Sequence, residues 1–307
     1  MRSGTLLSGI HAKGSNMDIR DIAAASGYGV GTVSRVINNQ PNVSDRARKR
    51  ILAVMAECGY EPNSNARYLK MRSQTPVTAF VMGVGNRLFD DIIGPLQAAL
   101  AAADEEMAVT YLDDDSREVH AAIDYQQARR PKGMVFLGGE PHYFRESFHE
   151  IEVPCVLVTS SAAGLGFANL SSVTIDNEAA AARAIEHLWE RGHRRIGIIG
   201  GDRVENSVSS QRLRGAERAL RERGIELDYE RDYEPCAFLE GAGYDAARRL
   251  LERTSDLTAV FALGDAIAFG ALRAAADEGL SVPGDLSLVG FDDTSLSQFS
   301  VPRITTV

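Results

Sequence analysis

"SGYGVGTVSRVINN", Ser26 to Asn39, sets glycines at the alternate positions 27, 29 and 31. Alternating glycines are one mark of a loop that cradles phosphate. A dinucleotide loop, however, needs a strand before it and the spacing G-x-G-x-x-G. Here the preceding "MDIRDIAAAS" carries Ile19, Ile22 and Ala23 at helical spacing. Asp18 and Asp21 stand near its start, where carboxylates complement the helix dipole. Thr32 occupies the place of the third glycine. The stretch therefore reads as a turn between two helices. Gly27 ends the first, and the second begins near Val30. Val33, Val36 and Ile37 form the apolar stripe of that second helix, with Thr32, Ser34 and Arg35 toward its other side.

The pattern continues outward. "NNQPN" breaks the second helix, and Ser44 is placed to cap a third, "DRARKRILAVMAEC". Ala47, Ile51, Val54 and Met55 share one face of it, and Gly59 stops it. Three short helices with a tight glycine turn between the first two fit a helix-turn-helix, although the pattern alone also fits any small helical bundle. Charge points the same way without deciding it. Met17 to Arg72 holds nine Lys/Arg and five Asp/Glu, whereas the chain as a whole carries a net −9. A basic module on a large acidic body is the layout of a DNA-binding head on a soluble sensor, and chance clustering on solvated helix faces gives the same numbers.

The 307 residues suffice for two or three domains, with 44% hydrophobic and 24% charged residues, an ordinary globular mix. No apolar run reaches the roughly 18 residues of a membrane span. Residues 1–16 hold too short an apolar run for a signal peptide and read as a disordered leader. Cys58, Cys155 and Cys236 are few and widely spaced, which implies neither a disulfide framework nor a metal site and makes a cytoplasmic location the expectation.

After "MRSQTP" the pattern becomes α/β. "VTAFVMGV", "MAVTYL", "GMVFLGG" and "PCVLVT" read as strands between helices, and "RRIGIIGG", "TAVFALG" and "LSLVGFDD" repeat the alternation. Alternating strands and helices predict parallel sheets. Two such series predict two similar doubly wound subdomains with a ligand cleft between them.

The head, "IRDIAAASGYGVGTVSRVINNQPNVSDRARKRILAVMAECGYEPNSNARYLK", closely resembles that of the lactose-repressor (LacI/GalR) family of bacterial transcription regulators. The T-V-S-R-V-x-N core, the Val43-Ser44 start of the third helix and the G-Y-x-P-N-x-x-A-x-x-L tail occur in order. In the body, "VTIDN", "EHLWERGHRRIGIIGG", "RLRGAERAL" and "LSLVGFDD" with "PRITTV" match landmarks of the periplasmic-binding-protein-like fold that the family carries.

The resemblance implies a helix-turn-helix domain over 17–61, a hinge helix and linker over 62–75, and an effector-binding and dimerisation domain over 76–307. That domain divides into subdomains of about 76–172 and 173–307. Val30, Gly31 and Arg35 would fall at base-reading positions, Arg35 able to grip guanine with two hydrogen bonds. Thr32, Ser34 and Asn38 would contact phosphate, and Asn42 would add a base contact. Leu69 would wedge into the minor groove, beside Asn63 and Ala66. Asn86, Phe89, Asp176, Arg212, Phe238 and Asp292 would form the effector site, suited to a polyhydroxylated, carbohydrate-like ligand.

The implied function is a homodimeric repressor on a palindromic operator in double-stranded DNA, under allosteric control by a small-molecule effector. No cofactor, metal or membrane is implied.

Several positions depart from the family pattern. Gly264 replaces an asparagine before Asp265, and Arg87 stands where proline is common. The family also continues with a further helix after the point matching "ITTV". The alternative class, an α/β enzyme using the same cleft, finds no G-x-S-x-G, H-E-x-x-H or P-loop, and the six histidines lack ligand spacing. No catalytic residue is therefore expected.

Overall fold

A computed structural model describes residues 19–37, 43–58, 76–83, 85–113, 117–204 and 207–307. The chain divides into two compact units, Met1–Gln74 and Thr75–Val307.

In the first unit, α1 (Ile19–Ser26), α2 (Val30–Ile37) and α3 (Asp45–Glu57) enclose a small core. Ile22, Ala23, Val33, Val36, Ile51 and Val54 meet there, with Tyr28, Ile37, Val43 and Met55 packed around them. Ile22 and Ala23, Val33, Val36 and Ile37, and Ile51, Val54 and Met55, read from helical periodicity, are thus among the residues that face inward. Gly27 takes φ 77°, and its N–H and that of Tyr28 both donate to the Ala23 carbonyl, which closes α1. The Gly29 carbonyl accepts from Thr32 and Val33, so α2 starts on a residue with no capping side chain. Ser44 caps α3, its hydroxyl accepting the Ala47 N–H at 3.4 Å.

The second unit contains two parallel sheets. The first comprises β1 (Val77–Met82), β2 (Met107–Leu112), β3 (Met134–Leu137), β4 (Cys155–Val158) and β5 (Leu170–Val173), in the order β2-β1-β3-β4-β5. Its crossovers are α4 (Arg87–Ala102), α5 (Glu118–Arg129) and α6 (Pro141–Ser147). The second sheet orders β6 (Ile196–Ile199), β7 (Tyr233–Glu234), β8 (Ala259–Ala262) and β9 (Ser287–Val289) as β7-β6-β8-β9. Around it lie α7 (Asn177–Glu190), α8 (Val208–Arg221), α9 (Glu240–Arg253) and α10 (Asp265–Asp277). Both sheets are covered on both faces, which is why their strands are nearly continuous apolar runs.

Close helix packing on the second sheet depends on residues without a Cβ. A Cβ at Gly270 of α10 would stand 2.1 Å from the Glu240 carbonyl oxygen, and one at Gly243 of α9 would stand 2.5 Å from that of Ile267.

In each sheet the strand order reverses beside the first strand, at β1 and at β6. A crevice opens at the carboxyl ends of the strands at such a point. Two links join the lobes near it. The Asp91 carboxylate on α4 accepts the backbone N–H and the hydroxyl of Ser295 at 2.9 and 3.1 Å. Arg87 lies 3.8 Å from Glu240, both well exposed, so this pair adds little stability. Among the described residues, no helix is long and apolar enough to cross a membrane.

Candidate functional site

The crevice is a cavity of about 520 Å³, within the range that holds a small molecule. Loops after β1, β3 and β4 contribute Gly83, Gly138, Glu140, Thr159 and Ser160. Loops after β6, β7 and β9 contribute Gly201, Asp202, Cys236, Phe238 and Asp292. Asn86, Phe89, Arg212, Phe238 and Asp292, expected from the sequence, all line it. Asp176 does not. Its carboxylate caps α7, accepting the Ala179 N–H at 2.9 Å, and it stands exposed outside the cavity lining. The helix start that makes Asp176 prominent in the sequence is what occupies it.

Arg212 sits at the base of the cavity with 4% exposure. Its Nε donates to Asn177 Oδ1 at 3.0 Å, Nη1 to the Leu263 carbonyl at 2.5 Å, and Nη2 to Asp292 Oδ1 at 2.8 Å. The guanidinium lies over the Phe291 ring, 3.7 Å from its centroid. The group is therefore held on every side by α7, β8 and the turn after β9. Asp292 adopts φ 108°, a strained conformation for a residue with a side chain, which is typical of positions that aim a group into a site. Burial pushes its carboxyl up to about 6, with Arg212 pulling the other way. At neutral pH the pair is charged, buried and mutually satisfied.

The aromatic walls rest on missing side chains. A Cβ at Gly138 would stand 2.6 Å from Phe89 Cζ, and one at Gly264 would stand 2.7 Å from Phe238 Cδ1. Gly264 is the position where the sequence departs from the family pattern. The ring of Phe238 takes the space that an asparagine side chain would fill, so an amide contact is replaced by an aromatic face. Asn86 is partly committed to structure: its side chain accepts the Leu88 N–H at 3.1 Å and caps α4.

Glu140, Asp202 and Ser209 also line the cavity and were not read from the sequence. Asp202 ends the glycine-rich turn "GIIGGD", which was the one available signal. Glu140 had none, because only the pairing of β3 with β1 brings it to the crevice. Behind it, Glu118 is fully buried and accepts the Glu140 N–H at 2.7 Å. Burial pushes Glu118 up to about 7; burial, then the charges of Asp202 and Glu118, push Glu140 up to about 7.

These raised carboxyls make stability depend on pH. The folded state holds their protons more tightly than the unfolded chain, so the stabilisation is complete near pH 4.5 and is lost as pH rises through 7. Asp292 acts in the same sense. We expect the body to melt at lower temperature at pH 8 than at pH 5.5, by on the order of 1–2 kcal/mol for Glu118. Glu118→Gln should flatten the profile. A profile unchanged by that substitution would contradict the assignment.

In the first unit, the exposed face of α2 presents Val30, Gly31 and Arg35, with Thr32 and Ser34 half-buried beside them. Nothing stands within 4 Å of a Cβ built at Gly31. Arg46, Lys49 and Arg50 of α3 line a shallow basic depression with Ser26, Gly27 and Tyr28. Asn38, Asn42, Asn63, Ala66 and Leu69 lie outside the described residues, as do the leader 1–16 and the hinge 62–75.

Comparison with known proteins covers both units. The model of bacterial regulatory proteins, lacI family, matches residues 18–63, and that of a periplasmic binding protein-like domain matches 185–307. The chain is 37% identical to the HTH-type transcriptional regulator MalR of Clostridium butyricum, over 95% of this chain and 87% of that protein. Among solved structures it is similar to a complex of the transcriptional regulator CelR with cellobiose, at TM-score 0.64 and 28% identity, covering 94% and 87% of the two chains. It is also similar to the Lac repressor bound to ONPG in its repressed state, at TM-score 0.76 and 25% identity, covering 95% and 88%.

Proposed function

This chain belongs to the lacI family of bacterial regulatory proteins, and from that premise we propose that it is a repressor whose grip on an operator is set by a carbohydrate-like effector in the body cavity. It is a transcriptional regulator rather than an enzyme, as its relatives are. The observation that carries the proposal is the joining of two features in one chain. One is a helix-turn-helix with an exposed arginine on its second helix. The other is a cavity at the switch points of two parallel sheets, floored by a buried arginine–aspartate pair and walled by Phe89 and Phe238.

In this reading α2 enters the major groove, and Val30, Gly31 and Arg35 face the bases. Thr32, Ser34 and Asn38 hold phosphates, with Asn42 at an added base. The chain acts as a homodimer, because a two-fold protein places two such helices on a palindromic site. Effector binding changes how the lobes close, and closure changes the order of the hinge at 62–75. The coupling is reciprocal, so operator and effector must alter each other's affinity by the same factor. The cellobiose complex of the similar regulator CelR supports a sugar class.

The test has two arms. Affinity for fragments of the gene's own upstream region should fall linearly in log K against log salt. A thermal-shift screen of sugars should find a compound that raises the melting temperature and also shifts operator affinity. A flat salt response, or a ligand with no effect on DNA binding, would count against the proposal. The assigned wedge yields a further prediction. Leu69→Ala should weaken operator binding far more than binding to random duplex, because only the operator complex repays the unstacking of a base step. Equal losses on both DNAs, measured at one salt concentration, would remove Leu69 from that role.

A further inference from the structure

The charged groups that line the cavity are unbalanced. Glu140, Asp202 and Asp292 face it, against the single guanidinium of Arg212. That guanidinium is already committed to Asn177, Leu263 and Asp292. Neither Arg87 nor Arg203 lines the cavity: Arg203 lies over the Tyr229 ring at 4.2 Å, and Arg87 makes a loose, exposed pair with Glu240 at 3.8 Å. Among the described residues, two carboxyls from opposite lobes, Glu140 after β3 and Asp202 after β6, have no ion pair with a protein cation.

Their surroundings point to a missing donor. The Glu140 Oε2 atom is buried and has no hydrogen-bond partner. Directly behind it Glu118, with no exposed surface, binds the Glu140 N–H through one oxygen while its other oxygen also lacks a partner. Buried acceptors without donors are rare and costly. Among the described residues, Asp202 accepts through Oδ1 from Val204 N and the Ser207 hydroxyl. Closing the lobes brings these two carboxyls together, which favours either a proton held on Glu140 or a cation between the two.

We propose that the effector carries a positively charged amino group that sits between Glu140 of one lobe and Asp202 of the other, and that this pair rejects anionic ligands. An ammonium brings three donors and the charge that the cavity lacks, whereas a hydroxyl brings one donor and leaves the charge in place. The apolar part of the ligand packs between Phe89 and Phe238. The inference rests on the ligand-cavity reading above and narrows its chemical class.

The experiment compares matched probes on the purified full chain by thermal shift and calorimetry. Glucose, glucosamine and glucuronate form one set, sorbitol, 1-amino-1-deoxysorbitol and gluconate a second, and butanediol, putrescine and succinate a third. We expect the amine of at least one set to bind about tenfold tighter or more than its neutral counterpart, with the acid of that set weaker still. Glu140→Gln, which keeps the side-chain shape, should reduce that preference to about twofold or less. Its unchanged or raised melting temperature would separate this loss from misfolding. Absence of any amine binding, or equal binding of amine and neutral probes, overturns the proposal. Neutral or acidic probes that bind in that case leave the cavity as the ligand site, which separates the two failures.

Discussion

Arg212→Ala is expected to destabilise the body by about 3–5 kcal/mol and to abolish the response to effector. The substitution does more than take one group from the cavity. It strips Asp292, Asn177 and the Leu263 carbonyl of their shared donor and leaves an uncompensated carboxylate in a site where it is nearly inaccessible to water. Loss of the partner should drive the Asp292 carboxyl above its present value of about 6, toward the protonated form. The defect should therefore shrink as pH falls from 8 to 5, which a mere packing loss would not do. Arg212→Lys should recover only part of the stability, because an ammonium cannot span three acceptors in one plane. Chemical denaturation at both pH values, followed by effector titration, measures this. A variant of native stability would show that the buried network is not a keystone. The helices of the head form a separate unit, so non-specific DNA binding should survive.

Arg35→Ala is expected to relax sequence preference at one base pair of each half-site. A bidentate grip on guanine contributes about 1–3 kcal/mol of discrimination, and a symmetric dimer applies it twice. The expected loss is thus about 2–6 kcal/mol on the full operator and much less on random duplex. In the proposed docking Arg35 weighs more heavily, since Gly31, the neighbouring position proposed to face the bases, has no side chain to read with. Competition binding against operators permuted at each position, at fixed salt, identifies the affected pair. If operator and random DNA lose affinity equally, with a shallower salt slope, then Arg35 holds a phosphate instead.

How much of this could be read beforehand differs between the two units. In the head, the stripe Val33–Val36, the stop at Gly27 and the cap at Ser44 all stand where periodicity and capping chemistry set them. Each is decided within one or two turns of chain, so local sequence suffices. In the body the long buried strands were legible for the same reason. Three short elements were not. The α6 segment "PHYFRES" is barely two turns long, β7 is two residues, and β5 is the polar edge strand "LSSV". The two strands exist because neighbouring strands supply hydrogen-bond partners, and α6 is held by the packing of Phe144 into the core, neither of which a local pattern announces. The pairing of β5 with β4 carries the first sheet to Val173.

The candidate site divides along the same line. Residue types in order along the chain determined the helices of the head and the presence of two doubly wound lobes, whereas the arginine, aspartate and aromatics of the cavity followed only from the family resemblance. Tertiary structure decided what those groups do. It sent the Asp176 carboxylate to a helix cap, tied Arg212 to three partners, and filled the space above Gly264 with the Phe238 ring. It also brought Glu140 and Asp202, 62 positions apart, to one cavity. The reason is physical. A cap or a stripe is a contact between residues a few positions apart, whereas a cleft is made where strand order reverses, and the charge balance inside it belongs to the assembled sheets.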